Sequence, residues 1–148
     1  MQLANKIFFA QVEELLAQGD EVQLRVKGYS MRPLLRNERE TVILTPYHGE
    51  ELHPLEIALF RHRGGHVLHR IVHIAGNRVT LQGDGNYRQQ EHCATEDILA
   101  TVRCIIRPNG RKIDCQSTSW QLRSRCWLAL PALMRRYILA LLFRLGYK

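Results

Sequence analysis

Between Glu21 and Asp114 the chain is written in short alternating runs of apolar and polar residues, each closed by a turn-forming glycine, proline or asparagine. This pattern constrains the fold more than any other feature. A period of two puts successive side chains on opposite faces of a strand and cannot supply the apolar stripe of a helix. Glu21–Val26, Thr41–Leu44, Glu56–Arg61, Val67–Ala75, Arg78–Leu81, Ile98–Ile106 and Lys112–Ile113 read as strands. Arg63-Gly64-Gly65 and Gly76-Asn77 read as hairpin turns, and Pro108-Asn109-Gly110 turns the chain once more. The expected architecture is mainly β within the α+β class, either a coiled antiparallel sheet or a small barrel. Helical patterns flank it. Leu3 to Ala17 predicts an amphipathic helix with Ile7, Phe8, Val12, Leu15 and Leu16 near one face and Gly19 as its stop. Beyond Ser119, Leu133, Met134, Tyr137, Ile138, Leu141, Leu142 and Leu145 recur at helical spacing, with Pro131 dividing two helical pieces. The chain therefore divides into an N-terminal helix (1–20), a β-rich body (21–114) and a helical tail (115–148).

Within the body, Lys27-Gly28-Tyr29-Ser30-Met31-Arg32-Pro33 lies between the first two strand patterns. Gly28 permits backbone angles that other residues resist, and Pro33 fixes its own φ and ends the ladder. A hydroxyl presented there is either a nucleophile or a serine in a solvated turn. Leu68-His69-Arg70-Ile71-Val72 follows on a predicted strand, and Gly83-Asp84-Gly85-Asn86 in a turn after the next one. These three segments resemble, in order, the G-x-S-M-x-P, H-R-I-V and G-D-x-N boxes of the signal peptidase I and LexA-like serine peptidase superfamily. The resemblance covers roughly Val22 to Asp114 and leaves both ends unexplained. It implies a mainly β peptidase fold, a peptide or precursor-protein substrate, and cleavage of signal or leader peptides without a cofactor.

The chemistry follows from the same residues. A serine hydroxyl needs a neighbouring base to take its proton. The lysine branch of the superfamily expects its base where this chain has His69, and no lysine lies between Lys27 and Lys112. The resemblance is therefore closest to the histidine-type branch of the endoplasmic-reticulum and archaeal signal peptidases. Ser30 is then the nucleophile and His69 the general base, and an imidazole titrates near neutral pH. Asp84 has two readings: it orients His69, as the matching aspartate does in that branch, or it makes the side-chain-to-backbone bonds of its own turn. The backbone N–H of Ser30, in a segment kept open by Gly28, is the expected oxyanion donor. Two departures from the family pattern concern backbone shape: Asn37-Glu38 and Leu55-Glu56 stand where Gly-Asp is common. A catalytically inactive or regulatory binding module on the same fold would carry the same boxes.

Other chemistries find little support. Cys93, Cys104, Cys115 and Cys126 form no C-x-x-C pair, so a zinc ribbon is not expected. His62, His66, His69 and His73 have metal-binding spacing only on a helix, and Gly64-Gly65 makes the segment a hairpin, in which His69 and His73 share a face and no metal site is expected. Lys6, Glu13 and Glu14 interrupt any signal-peptide core, which makes the cytoplasm and reduced thiols the expectation. Charge is unevenly spread. Residues 115–148 hold six of the 21 Lys and Arg and none of the 14 Asp and Glu. No stacking aromatics or groove-reading helix accompany that charge, so nucleic acid is not an expected partner. The longest uncharged run of the tail, Cys126 to Met134, is far shorter than the roughly 20 residues that span a bilayer. The tail is expected to lie on an anionic membrane surface as a peripheral helix, or to pack on the protein's own core or on a second copy in a homodimer.

Overall fold

The structure is a computed structural model, and it describes residues 2–147. Eight strands form a single antiparallel sheet flanked by three α-helices. The strands are β1 (Val22–Arg25), β2 (Thr41–Pro46), β3 (Ile57–His62), β4 (Gly65–Ala75), β5 (Arg78–Gln82), β6 (Glu91–Ala94), β7 (Ile98–Ile106) and β8 (Lys112–Asp114). They pair in the order β1-β2-β7-β3-β4-β5-β6, with β8 on β7. Among the described residues no ladder joins β1 to β6, so the sheet is open, and the closed small barrel is excluded. The α+β, mainly β expectation holds.

Seven of the eight strands fall where alternation predicts them. The β3–β4 hairpin closes through Arg63 and Gly64, both at positive φ (49° and 74°), which brings His62 opposite Gly65. The strand that alternation misses is β6. Its buried residue is Glu91, so its polar and apolar positions are the reverse of the usual code. In β4 the register slips between Ile71 and His73. This bulge turns His73 out to solvent while His69 stays buried, so the two do not share a face.

Two apolar clusters lie on the sheet. One gathers Val42, Leu44, Leu59, Val102 and Ile105 with Met31 and Leu35 of the serine segment, Val12 and Leu16 of α1 (Gln2–Ala17), and Trp120 of α2 (Thr118–Ala129). The other holds Phe60, Ile71, Val79, Leu81 and Ile98. The apolar face expected of α1 is split. Val12 and Leu16 are buried, whereas Ile7, Phe8 and Leu15 are exposed. Polar contacts also hold this helix. Glu13 accepts from Arg61 Nη2 at 2.5 Å and pairs with His66 Nε2 at 2.5 Å, and Phe9 stacks on the His66 ring. Hydrogen bonding from Arg61 draws the Glu13 carboxyl down to about 2, against the opposing effect of its partial burial.

Helix α2 starts at Ser117, whose Oγ accepts the Trp120 amide. Pro131 then separates it from α3 (Ala132–Arg144), and the two helices meet at 112°. No single helix among the described residues is long and apolar enough to cross a membrane.

Candidate active site

The serine segment leaves β1 at Val26 and is held from both ends. The Gly28 amide donates to Asn37 Oδ1 at 2.8 Å while Gly28 sits at φ 95°, and Glu38 donates its amide to the Val26 carbonyl at 2.7 Å. Below it Glu40 is fully buried. Its carboxylate accepts from the Arg36 amide (2.6 Å), the Arg36 guanidinium (2.8 Å) and Arg107 Nη1 (2.9 Å). A buried charge needs such partners, and they tie Arg36–Glu40 to Arg107, just past the end of β7. Gly28 thus shapes the segment by its φ, and its own N–H is taken by Asn37. The Ser30 amide has no partner among the described residues and is free to receive an oxyanion.

The Gly83-Asp84-Gly85 turn presses against this segment. The Gly85 amide donates to the Ser30 carbonyl at 2.7 Å, and the Asn86 amide to the Gly83 carbonyl at 2.9 Å. A Cβ placed on Gly83 would stand 3.0 Å from His69 Nε2 and 3.1 Å from Ser30 Cβ. One small point in space thus touches both the candidate nucleophile and the candidate base. His69 is buried, and its Nδ1 lies 2.8 Å from Glu91 Oε2 on β6. An ionised carboxylate only accepts hydrogen bonds. With Glu91 ionised, the proton sits on Nδ1 and the Nε2 lone pair faces the serine side.

Asp84 takes neither of its two expected roles: its side chain bonds neither His69 nor the backbone of its own turn, but Arg70. Its carboxylate does not meet His69, because Arg70 donates Nε to one oxygen at 2.8 Å and Nη2 to the other at 2.7 Å, both groups being fully buried. The reason is the strand itself. His69 and Arg70 are successive residues of β4 and point to opposite faces. Glu91 holds the orienting position, which the three boxes do not reveal. Leu55 keeps a positive φ of 81°, and its carbonyl accepts Arg70 Nη1 at 2.8 Å.

Helix α2 completes the far side. Ser124 Oγ meets Arg70 Nη1 at 3.0 Å, and Trp127 Nε1 donates to the Asp84 carbonyl at 2.8 Å. Trp127→Phe would keep most of the ring and strand that carbonyl. It should destabilise the fold by about 1–3 kcal/mol in urea unfolding, and an unchanged unfolding midpoint would show that the bond contributes nothing.

Beside Ser30 opens a cleft of about 580 Å³, walled by Leu24, Val26, Met31, Leu59 and Leu68 and capped by Phe8 and Phe9 of α1. Of the thiols, burial pushes Cys93 up to about 11 and Cys115 up to about 12, so neither competes as a nucleophile. Among the described residues no three His, Cys, Asp or Glu side chains converge as metal ligands. No protein-family model matches the chain, and no curated protein matches it.

Proposed function

We infer that the protein is a serine endopeptidase of the signal peptidase and LexA-like type, cutting signal or leader peptides of precursor proteins through an acyl-enzyme on Ser30. The observation that carries this reading is the meeting of Ser30 Cβ and His69 Nε2 at Gly83, with Glu91 on the other nitrogen of the ring. The serine segment, β4 and β6, far apart in sequence, bring together in that order a nucleophile, a base and an orienting acid.

In this reading the substrate lies along the cleft with an apolar side chain against Met31, Leu59 and Leu68. His69 Nε2 takes the proton of Ser30 Oγ as the oxygen attacks the scissile carbonyl. The Ser30 amide donates to the oxyanion of the tetrahedral intermediate. Glu91 stabilises the imidazolium, which passes its proton to the leaving amine. Water, deprotonated by the same ring, then hydrolyses the ester. No metal or cofactor takes part in this scheme.

The second reading is a binding module that holds peptide in the cleft without cutting it. One observation favours it: no hydrogen bond joins Ser30 Oγ to His69 among the described residues, whose ring bonds Glu91 alone. Rotation about the Ser30 Cα–Cβ bond moves Oγ without moving Cβ, so the arrangement of Cβ and ring does not forbid the contact.

Labelling with a fluorophosphonate probe separates the readings. The wild-type chain should take up the probe at Ser30, and Ser30→Ala should not. Equal labelling of the two proteins would remove Ser30 from the mechanism. A wild-type chain that binds peptide yet resists the probe would be the binding module.

A further inference from the structure

The tail divides into two helices with different surroundings. Helix α2 buries Trp120, Ser124 and Trp127 against the body. Helix α3 buries no residue. Its partly covered side chains are Arg135, Ile138, Leu139 and Leu142, which fall on one face and turn towards the protein. The opposite face carries Leu133, Tyr137, Leu141 and Leu145, each four residues from the next, at 59%, 66%, 58% and 73% exposure. Met134 lies beside them at 50%. A continuous apolar stripe of this kind is unusual on a protein surface that meets only water.

The charge around the stripe identifies what it meets. Arg136 and Arg144 on α3 and Arg123 and Arg125 on α2 are exposed, and residues 115–148 contain no acid. A second copy of the same helix would bring arginine against arginine with no carboxylate between them. An anionic bilayer supplies both complements: acyl chains for the leucines and phosphate headgroups for the guanidinium groups. Tyr137 suits the boundary between the two. The geometry points to α3 as a peripheral anchor that lies in the plane of an anionic lipid surface, apolar stripe inward.

This anchor also sets where Ser30 works. Tyr147 Oη donates to the Pro33 carbonyl at 3.2 Å, Arg36 lies over the Tyr147 ring at 4.9 Å, and Arg32 lies over the Phe143 ring at 5.8 Å. The C-terminal end of α3 is therefore fastened to the serine segment. A bilayer under α3 holds Ser30 close to the lipid surface, where a peptide segment emerging from a membrane would meet it. The anchoring does not depend on Ser30 being a nucleophile.

The test is co-sedimentation of the full chain with vesicles of phosphatidylcholine, with and without phosphatidylglycerol, at low and high salt. The Ser30→Ala chain serves equally, because the readout is binding. The chain should pellet with phosphatidylglycerol vesicles at low salt and be released by high salt. Leu133→Ser/Leu141→Ser removes two exposed side chains that support no core, so its circular dichroism should match the wild type while its partition falls about tenfold or more. Arg136→Gln/Arg144→Gln should flatten the salt dependence. Three results would overturn the proposal: a full chain that stays in the supernatant, a double-leucine variant that pellets like the wild type, or a dimer in analytical ultracentrifugation that the leucine substitutions dissolve. The last would make α3 a subunit interface.

Discussion

His69→Ala is expected to lower the rate of peptide cleavage by about 10⁴-fold, well beyond what its loss of stability accounts for, since removing one member of a concerted nucleophile–base pair costs nearly as much as removing both. The companion variants divide the two acids. Glu91→Gln keeps the size of the side chain but can offer an N–H to His69 Nδ1. That selects the wrong tautomer, with the proton on Nε2, and activity should fall about 10²–10⁴-fold. Asp84→Asn should act differently. It leaves Arg70, fully buried, facing a neutral group in place of the carboxylate that now binds it at 2.7 and 2.8 Å. The expected loss is about 3 kcal/mol or more of stability, with activity falling only as far as folding does. Urea unfolding and initial rates on the same preparations distinguish the outcomes. A Glu91→Gln enzyme with wild-type rates, beside a stable but inactive Asp84→Asn protein, would return the orienting role to Asp84.

Much of this arrangement is legible in the amino-acid order, and the misses have physical causes. Strands with one apolar face, such as β2 and β7, announce themselves by alternation. Ser30, His69 and the Gly83–Gly85 turn stand out because their three segments resemble the ordered boxes of a known superfamily; alternation by itself would leave them a turn serine, a strand histidine and a glycine turn. Glu91 does not. A carboxylate buried against a histidine on another strand inverts the polarity of β6, and nothing local says that its partner lies 22 residues away. Asp84 misleads for a related reason. Its neighbours in sequence, the two glycines, face Ser30, while its own side chain turns to the other side to meet Arg70, and only the register of β4 decides this. The tail follows the same logic. Spacing gives two helices, but whether an apolar stripe is covered depends on what the fold places beneath it. The sheet and Asp84 lie beneath α2, and the outer stripe of α3 has no cover among the described residues.

Gly83→Ala should damage activity and stability together. Unlike Gly28, whose φ of 95° explains its identity and around which a Cβ would find open space, Gly83 has no left-handed φ. It is glycine because of what touches it. A Cβ there would meet the Ser30 carbonyl oxygen closer than real Cβ atoms approach backbone, and would stand 3.0 Å from His69 Nε2 and 3.1 Å from Ser30 Cβ. The carbonyl cannot yield freely, because it already accepts the Gly85 amide at 2.7 Å and belongs to the segment that Gly28 and Asn37 fix. Nor can Gly83 withdraw, because Asp84 beside it is held through its side chain by Arg70 and through its carbonyl by Trp127. The added methyl therefore forces Ser30 and His69 apart. Overpacking of this kind costs about 1–3 kcal/mol of stability, and a displacement of about 1 Å at a reacting pair costs about 10²-fold in rate. The expected result is a folded protein, somewhat less stable in urea, whose fluorophosphonate labelling is slowed about 10²-fold or more. Gly28→Ala, strained only by its φ, should lose about 1–2 kcal/mol of stability and keep measurable labelling. A Gly83→Ala chain that labels at the wild-type rate would mean that Ser30 and His69 do not act together across this glycine, and the assignment of the pair would fall with it.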